Sequence, residues 1–247
     1  MNNVKNGKVA IVTGASRGIG AAIARRLASD GFAVVVNYAA SSKEADTLVE
    51  ELKAQGAAAI AVKADVSNAD DVRRMFEATE QQLGKVDVLV NNAGIMKTLP
   101  LADTSDALYT QTFDINVRGT FNTLREAAAR MNNGGRVINF SSTTLALNMP
   151  GYAIYNATKA AVEAFTHVFA KELRGRDITV NAVAPGPVAT ALFLEGKTEE
   201  QIQNFAKMPP LQRLGQPEDI ASVVSFLAGP DSAWVNGQIL RANGGVA

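Results

Sequence analysis

Tyr152 and Tyr155 stand within one helical turn of each other in the stretch YAIYNATK, with Lys159 just beyond. Of the four tyrosines only Tyr155 has a lysine four residues on; Tyr38, Tyr109 and Tyr152 are followed at that spacing by Ser42, Phe113 and Asn156. Residues i and i+4 share a helix face, which places Lys159 beside the Tyr155 ring. An ammonium at that range stabilises phenolate and is expected to lower the tyrosine pKa from about 10, as a proton donor working near neutrality needs. An isolated Tyr–Lys pair is more often a solvated helix contact, but this one has company. Ser142 lies thirteen residues upstream, directly after the apolar run RVINF, and another such run ends in Asn91-Asn92-Ala93-Gly94, with Asn116 following within FDINVRG.

A second chemical motif opens the chain: TGASRGIG, residues 13 to 20, runs from an apolar stretch straight into a helical pattern. Gly14, Gly18 and Gly20 let a turn tighten and let backbone approach a pyrophosphate, whose charge suits the free N–H groups and dipole of a helix N-terminus. The spacing is not the common G-x-G-x-x-G. The same residues contain GASRG, a literal match to the G-x-S-x-G nucleophile elbow, so a hydrolase using Ser16 is a rival reading. It needs a histidine, and the single one, His167, lies inside the helical pattern VEAFTHVFAKEL, where it reads as a packing or interface residue. With no cysteine and one histidine, disulfides, thiol catalysis and a His-rich metal site are excluded, and no metal is expected. Chemistry falls to Ser, Thr, Tyr, Lys, Asn and carboxylates.

These side chains must be held by something, and the pattern between them says what. The apolar runs at 8 to 13, 32 to 37, 58 to 63, 86 to 91, 136 to 141, 178 to 185 and 237 to 242 are short, largely β-branched and bounded by Gly, Asp or Asn, as strands are. Segments 18 to 30, 42 to 55, 68 to 83, 105 to 131, 155 to 174 and 217 to 228 carry apolar residues at helical spacing. This alternation predicts an α/β fold: one doubly wound parallel sheet of about seven strands with helices on both faces, over residues 1–247 as a single domain. Ligands in such sheets sit beyond the carboxyl ends of the strands, where Ser142, the NNAG turn and the glycine loop all fall. The segment 186 to 216 breaks the alternation and is read as a substrate lid over approximately 187–212. Lys plus Arg equals Asp plus Glu at 24 each, so no net field draws nucleic acid or an anionic membrane. No apolar run approaches a membrane span and the start lacks a secretory layout, so a cytoplasmic protein is expected.

Taken together, TGASRGIG, NNAG and YNATK resemble, in order, the TGxxxGxG cofactor loop, the strand-four motif and the YxxxK active site of the short-chain dehydrogenase/reductase family. The similarity runs over essentially the whole chain and extends to Pro185-Gly186 after the sixth strand. The resemblance implies a Rossmann-type fold and a catalytic tetrad of Asn116, Ser142, Tyr155 and Lys159. Tyr155 would protonate a carbonyl oxygen as hydride arrives from a nicotinamide, with Ser142 bonding the same oxygen. Lys159 would hold the nicotinamide ribose, and Asn116 would position a water linking Lys159 to solvent. Tyr152 is then expected to line the substrate pocket or cap the helix. Strand alternation lets only one of Ser141 and Ser142 face the site, and the spacing to Tyr155 favours Ser142.

Cofactor contacts implied by the resemblance are Gly14, Ser16, Arg17, Gly18, Ile19 and Gly20 in the glycine loop, Tyr38 after strand two, and Asp65 (toward adenine) and Val66 after strand three. Asn92, Ala93, Gly94, Tyr155, Lys159, Pro185, Gly186, Val188 and Thr190 complete them. Proteins of this architecture that prefer NAD place an acid at the end of strand two, where this chain has Asn37. Asn37, Ser41 and Ser42 are expected to bond a 2′-phosphate and Arg17 to pair with it, with Lys43 a weaker candidate, giving NADP(H) over NAD(H). Met96, Thr143, Thr144, Leu147, Tyr152, Leu192, Phe193 and Phe205 are expected in the substrate pocket, with Leu145, Met149, Leu194 and Met208 as further apolar candidates. The substrate is expected to be a small ketone or alcohol, or a 3-oxoacyl thioester of coenzyme A or acyl-carrier protein. The chain is also similar to bacterial 3-oxoacyl-carrier-protein reductases, and Arg130, Arg174 and Arg176 could form a basic patch for such a carrier. In the family the helices equivalent to 105–131 and 155–174 form a bundle between subunits, and their alanines, Ala127, Ala128, Ala157, Ala160, Ala161 and Ala164, allow close packing; a homotetramer is expected.

Overall fold

β-Branched side chains are stiff and fit a pleated surface, and each of the seven apolar runs forms a strand in the computed structural model, which describes residues 7–247. The opening MNNVKN, on which the reading of the start partly rests, lies outside the described residues. The strands are β1 Val9–Val12, β2 Ala33–Tyr38, β3 Ala59–Lys63, β4 Val86–Asn91, β5 Arg136–Phe140, β6 Thr179–Pro185 and β7 Ile239–Ala242. They join one parallel sheet in the order β3-β2-β1-β4-β5-β6-β7. Strand β1 therefore has β2 on one side and β4 on the other, with Ile11 level with Val35 and Leu89. The order reverses there, which opens a crevice at the carboxyl ends.

Helices cover both faces: α1 Gly18–Ser29, α2 Ser42–Ala54, α3 Ala69–Gln82, α4 Asp106–Phe113, α5 Gly119–Arg130, α6 Thr144–Leu147, α7 Ala153–Glu172, α8 Ala191–Leu194, α9 Glu199–Lys207 and α10 Pro217–Ala228. Alternation along the strands divides the core. Val34, Val36 and Val90 pack with Ile23, Leu27 and Leu52 on one face, together with Ile220 and Leu227 of α10. Ile11, Val35 and Leu89 pack with Met75, Phe76, Leu124 and Phe169 on the other.

One expected element is not continuous. The helix read over 105 to 131 is interrupted by a π turn, Asp114–Arg118, closed by the Gly119 N–H donating to the Asp114 carbonyl five residues back. Side-chain periodicity does not reveal such a turn, and these insertions gather at functional sites. Asn116 sits in its middle, buried. The segment expected as a lid folds into α8 and α9, with Thr198 and Gln201 forming a capping box at the start of α9. No helix among the described residues is long and apolar enough to cross a membrane.

Candidate active site

The turn between β1 and α1 is fixed from three sides. Thr13 Oγ1 accepts from the Asn92 and Ala93 N–H groups, both at 3.0 Å, while Asn92 Nδ2 donates to the Thr13 and Gly14 carbonyls at 2.9 and 3.1 Å. Asn37 Oδ1 accepts from the Gly14 N–H at 3.2 Å, and the Ala15 N–H donates to the Asn37 carbonyl at 2.8 Å. A Cβ on Gly14 would lie 2.9 Å from Ala93 Cα, and one on Gly20 2.4 Å from the Gly14 carbonyl oxygen, so only glycine permits this crossing. Arg17, at the N-cap of α1, makes no side-chain cap bond, so the first turn keeps N–H donors for a ligand. A groove runs from here past Tyr38, Ser41, Asp65 and Val66 to Gly94 and Thr190, the shape and donor set a dinucleotide diphosphate needs. Arg17 is exposed on its flank.

Two expectations for the phosphate end are corrected. Asn37 lines the groove, but it is 1% exposed, and its amide donates to the Val62 and Ala64 carbonyls at 3.2 and 3.0 Å while its oxygen holds Gly14. It is a clamp between β2, β3 and the glycine loop with no hydrogen left for a phosphate. Ser42 begins α2 outside the groove wall, whereas Tyr38 and Ser41 line it. Asp65 also lines the groove, with one carboxylate oxygen engaged by the Ser67 N–H and hydroxyl.

The groove opens into a deep cleft, with Ile19, Asn92, Gly94, Ile95, Thr190 and Leu192 belonging to both walls. Tyr155 reaches the cleft floor from the first turn of α7, and Lys159 lies one turn on, 5% exposed, its Nζ 5.5 Å from the Tyr155 ring centroid. Nζ donates to the Phe140 carbonyl at 2.8 Å. Burial pushes Tyr155 up to about 12, against a lowering pull from the Ser142 hydroxyl, and burial pushes Lys159 down to about 8. The expected depression of Tyr155 by Lys159 is thus reversed. The ammonium lies over the ring and bonds a carbonyl, and desolvation of the phenolate wins. Asn116 Nδ2 donates to the Ile95 carbonyl and Thr158 Oγ1, and its Oδ1 accepts from the Ile95 N–H. That leaves one lone pair on Oδ1 unused.

Alternation does not separate the serines, which lie past the end of β5 and both line the cleft; Ser141 Oγ is engaged, donating to Glu163 at 2.5 Å, which leaves Ser142 beside Tyr155. Tyr152 sits at the N-cap of α7 without a side-chain cap bond and lines the cleft, its ring edge-on to Tyr155 at 6.5 Å. Met96, Leu147, Leu192, Phe193 and Phe205 line it as well, with Phe193 and Phe205 edge to face at 5.2 Å. Pro185, Gly186 and Val188 form the wall after β6. Thr143 borders the cleft, but its hydroxyl donates to the Ala184 carbonyl and accepts from Asn243, so it is a strut between β5 and β6 rather than a substrate contact. Leu145 and Leu194 lie outside the lining, which Met149 and Met208 join.

Comparison with known proteins agrees with this geometry. The sequence profile of the family described as enoyl-(acyl carrier protein) reductase matches residues 14–247. An uncharacterized oxidoreductase of Methylorubrum extorquens is 47% identical over 242 residues, covering 97% of this chain and 98% of the relative. The 3-oxoacyl-[acyl-carrier-protein] reductase of Staphylococcus aureus is 42% identical over 245 residues, covering 98% and 99%. A crystal structure of a short-chain dehydrogenase from Burkholderia cenocepacia in complex with NADP matches with a TM-score of 0.92 at 36% identity, covering 97% of each chain. The chain belongs to the short-chain dehydrogenase/reductase family.

A short-chain dehydrogenase/reductase is an oxidoreductase, so the hydrolase reading falls, and the geometry gives the physical reason. Ser16 lines the cofactor groove, while His167 is exposed on α7 with Nδ1 3.0 Å from the Gly237 carbonyl oxygen. The expected basic patch is reduced to Arg174, which is exposed. Arg130 pairs with Glu77, Glu80 and Glu126, and Arg176 donates to Asn133 and to the Ala128 and Met131 carbonyls, so neither presents a free charge. Sequence reasoning missed Ala39, Ala40, Ile95 and Ile115 in the groove of this dehydrogenase/reductase. They carry no chemistry of their own, and only their position next to strand ends or the π turn marks them.

Proposed function

We propose that this protein interconverts an uncharged, apolar ketone and the corresponding secondary alcohol, with NADP(H) preferred over NAD(H) and Tyr155 as general acid and base. The observation that carries the reading is a protonated, partly buried phenol beside Ser142 and Lys159 on the floor of an apolar cleft continuous with a dinucleotide-shaped groove. The groove suits the cofactor: the N-terminus of α1 would hold the diphosphate, Asp65 the adenine end, and Arg17 and Ser41 the 2′-phosphate. When bound, the cofactor supplies or accepts hydride. Tyr155 donates its proton to the carbonyl oxygen as negative charge develops there, and Ser142 hydrogen-bonds the same oxygen. The Lys159 ammonium over the ring favours the phenolate that remains. Reprotonation runs past Asn116, whose free Oδ1 lone pair can hold a water.

Lysine 159 is the one charged side chain lining the cleft among the described residues, with Met96, Leu147, Met149, Leu192, Phe193, Phe205 and Met208 supplying apolar surface. Its ammonium is engaged by the Phe140 carbonyl and the Tyr155 ring, so a carboxylate or phosphate elsewhere on the substrate would be buried without a partner, which is costly. The relative from Staphylococcus aureus favours a second reading, a dedicated 3-oxoacyl-carrier-protein reductase. Against it, Arg130 and Arg176 are engaged by protein groups, which leaves only Arg174 of the three expected arginines for an acidic carrier. We also propose a cytoplasmic homotetramer, because Ala157, Ala160, Ala164 and Val168 form an exposed stripe on α7 rather than packing on the sheet. Steady-state turnover with NADPH tests the reading against a panel of apolar ketones, 2-oxo acids and acetoacetyl thioesters. Apolar ketones should give the highest kcat/KM, and a preference for the carrier-protein thioester would favour the second reading.

A further inference from the structure

Asn156, next in sequence to Tyr155, does not line the cleft, yet it is bonded to the turn that carries Ser142. Its Nδ2 donates to the Thr144 carbonyl at 3.0 Å, and its Oδ1 lies 2.7 Å from Thr144 Oγ1. Thr144 Oγ1 in turn lies 2.9 Å from Ser142 Oγ, which also accepts from the Thr144 N–H at 3.3 Å. The direction of these bonds follows from counting hydrogens. A backbone carbonyl only accepts, so the Asn156 amide must face it with its NH₂ and turn its oxygen to the Thr144 hydroxyl. Thr144 has one hydroxyl hydrogen, which goes to that oxygen. The hydrogen between Thr144 and Ser142 must then be Ser142's own: it rests on Thr144 and is free to turn to the Tyr155 oxygen or a bound ketone oxygen as negative charge develops there, while the Thr144 N–H holds the Ser142 oxygen in place.

We propose that Asn156 is a positioning residue for proton transfer: by gripping Thr144 through both backbone and side chain, it holds the Ser142 hydroxyl in register with the Tyr155 phenol. The inference rests on Tyr155 being the acid and base. It ties the turn after β5 to the first turn of α7, the two pieces whose separation sets the Ser142–Tyr155 geometry. Ser142 lowers the Tyr155 pKa against the rise that burial causes, so loosening Ser142 leaves Tyr155 a weaker acid.

The test compares Asn156→Ala, Thr144→Val and the double variant, with NADPH binding by fluorescence and the pH profile of alcohol oxidation measured alongside turnover. Each single variant should lose about 10-fold in kcat with NADPH affinity unchanged, since misaligned donors cost rate more than binding. In oxidation, where Tyr155 must be deprotonated, the rising limb of the profile should move to higher pH. The double variant should be no worse than the poorer single one, because both cut the same chain. Thr144→Ser, which keeps the hydroxyl, should recover most of what Thr144→Val loses, and this pair decides the matter if Asn156→Ala does not fold. Asn156→Ala or Thr144→Val with kcat within threefold of wild type and an unmoved oxidation profile overturns the proposal. Tyr155→Phe is run in parallel. If it too stays active, the mechanism itself is wrong; if it is dead while Asn156→Ala is unaffected, only the role of Asn156 is.

Discussion

Lys159 and Asn37 show how far one side chain's surroundings decide what it can do. Burial lowers the Lys159 pKa from 10.5 to about 8, so the folded state carries the full desolvation penalty at low pH, where the residue is charged in both states. As pH rises from about 8 to 10.5 the unfolded chain binds more protons than the folded one, and stability contributed at this site increases through that window. Urea unfolding between pH 7.5 and 10.5 should therefore show a rise that Lys159→Met flattens, while wild-type reduction should slow above about pH 8 as the ammonium is lost. The same slope in the Lys159→Met variant would contradict this. Asn37 invites Asp as a route to NADH preference, but aspartate cannot donate to the Val62 and Ala64 carbonyls that the amide now serves. Asn37→Asp should destabilise the fold by about 2 kcal/mol or more, because buried acceptors are left facing a carboxylate. A urea midpoint equal to wild type would show that the clamp is unimportant.

At the level of elements, the strand ends and the start of α1 make the cofactor site. The glycine loop, the NNAG turn and YNATK were legible in sequence because each joins a distinctive composition to the end of a strand or the start of a helix. Asn37 and Thr143 were misread because their partners, Val62 and Ala184, come from neighbouring strands that linear spacing cannot bring alongside. The π turn at Asp114–Arg118 was missed for a different reason: one extra residue in a turn leaves the apolar periodicity on either side intact. On the NADP(H) reading proposed above, with Asn37 engaged elsewhere, Arg17 is the side chain expected to decide cofactor choice. A charge-assisted hydrogen bond of about 1.5–3 kcal/mol implies that Arg17→Ala weakens NADPH roughly 10- to 100-fold. NADH binding should stay within about twofold, since it carries no phosphate there. Equal losses for both cofactors, measured by fluorescence titration, would remove Arg17 from this role.

For the whole molecule, the seven-stranded sheet and its flanking helices were predictable because buried parallel strands must be nearly continuous apolar runs. The proposed assembly rests on surface instead. The alanine stripe of α7 and the exposed Tyr109 and Phe121 should be covered by a second copy. Sedimentation velocity at micromolar concentration should show a tetramer, and Ala164→Arg should dissociate it; a wild-type monomer would refute that assembly. The central claim is that a fold of this kind holds one protonated phenol where a ketone's oxygen must sit. Replacing Tyr155 by Phe keeps the ring and removes only the hydroxyl that carries the proton, so single-turnover reduction of the best ketone by NADPH-loaded enzyme tests the claim most directly. The account predicts a rate at least ~100-fold below wild type with NADPH affinity unchanged, and a rate within threefold of wild type would contradict it.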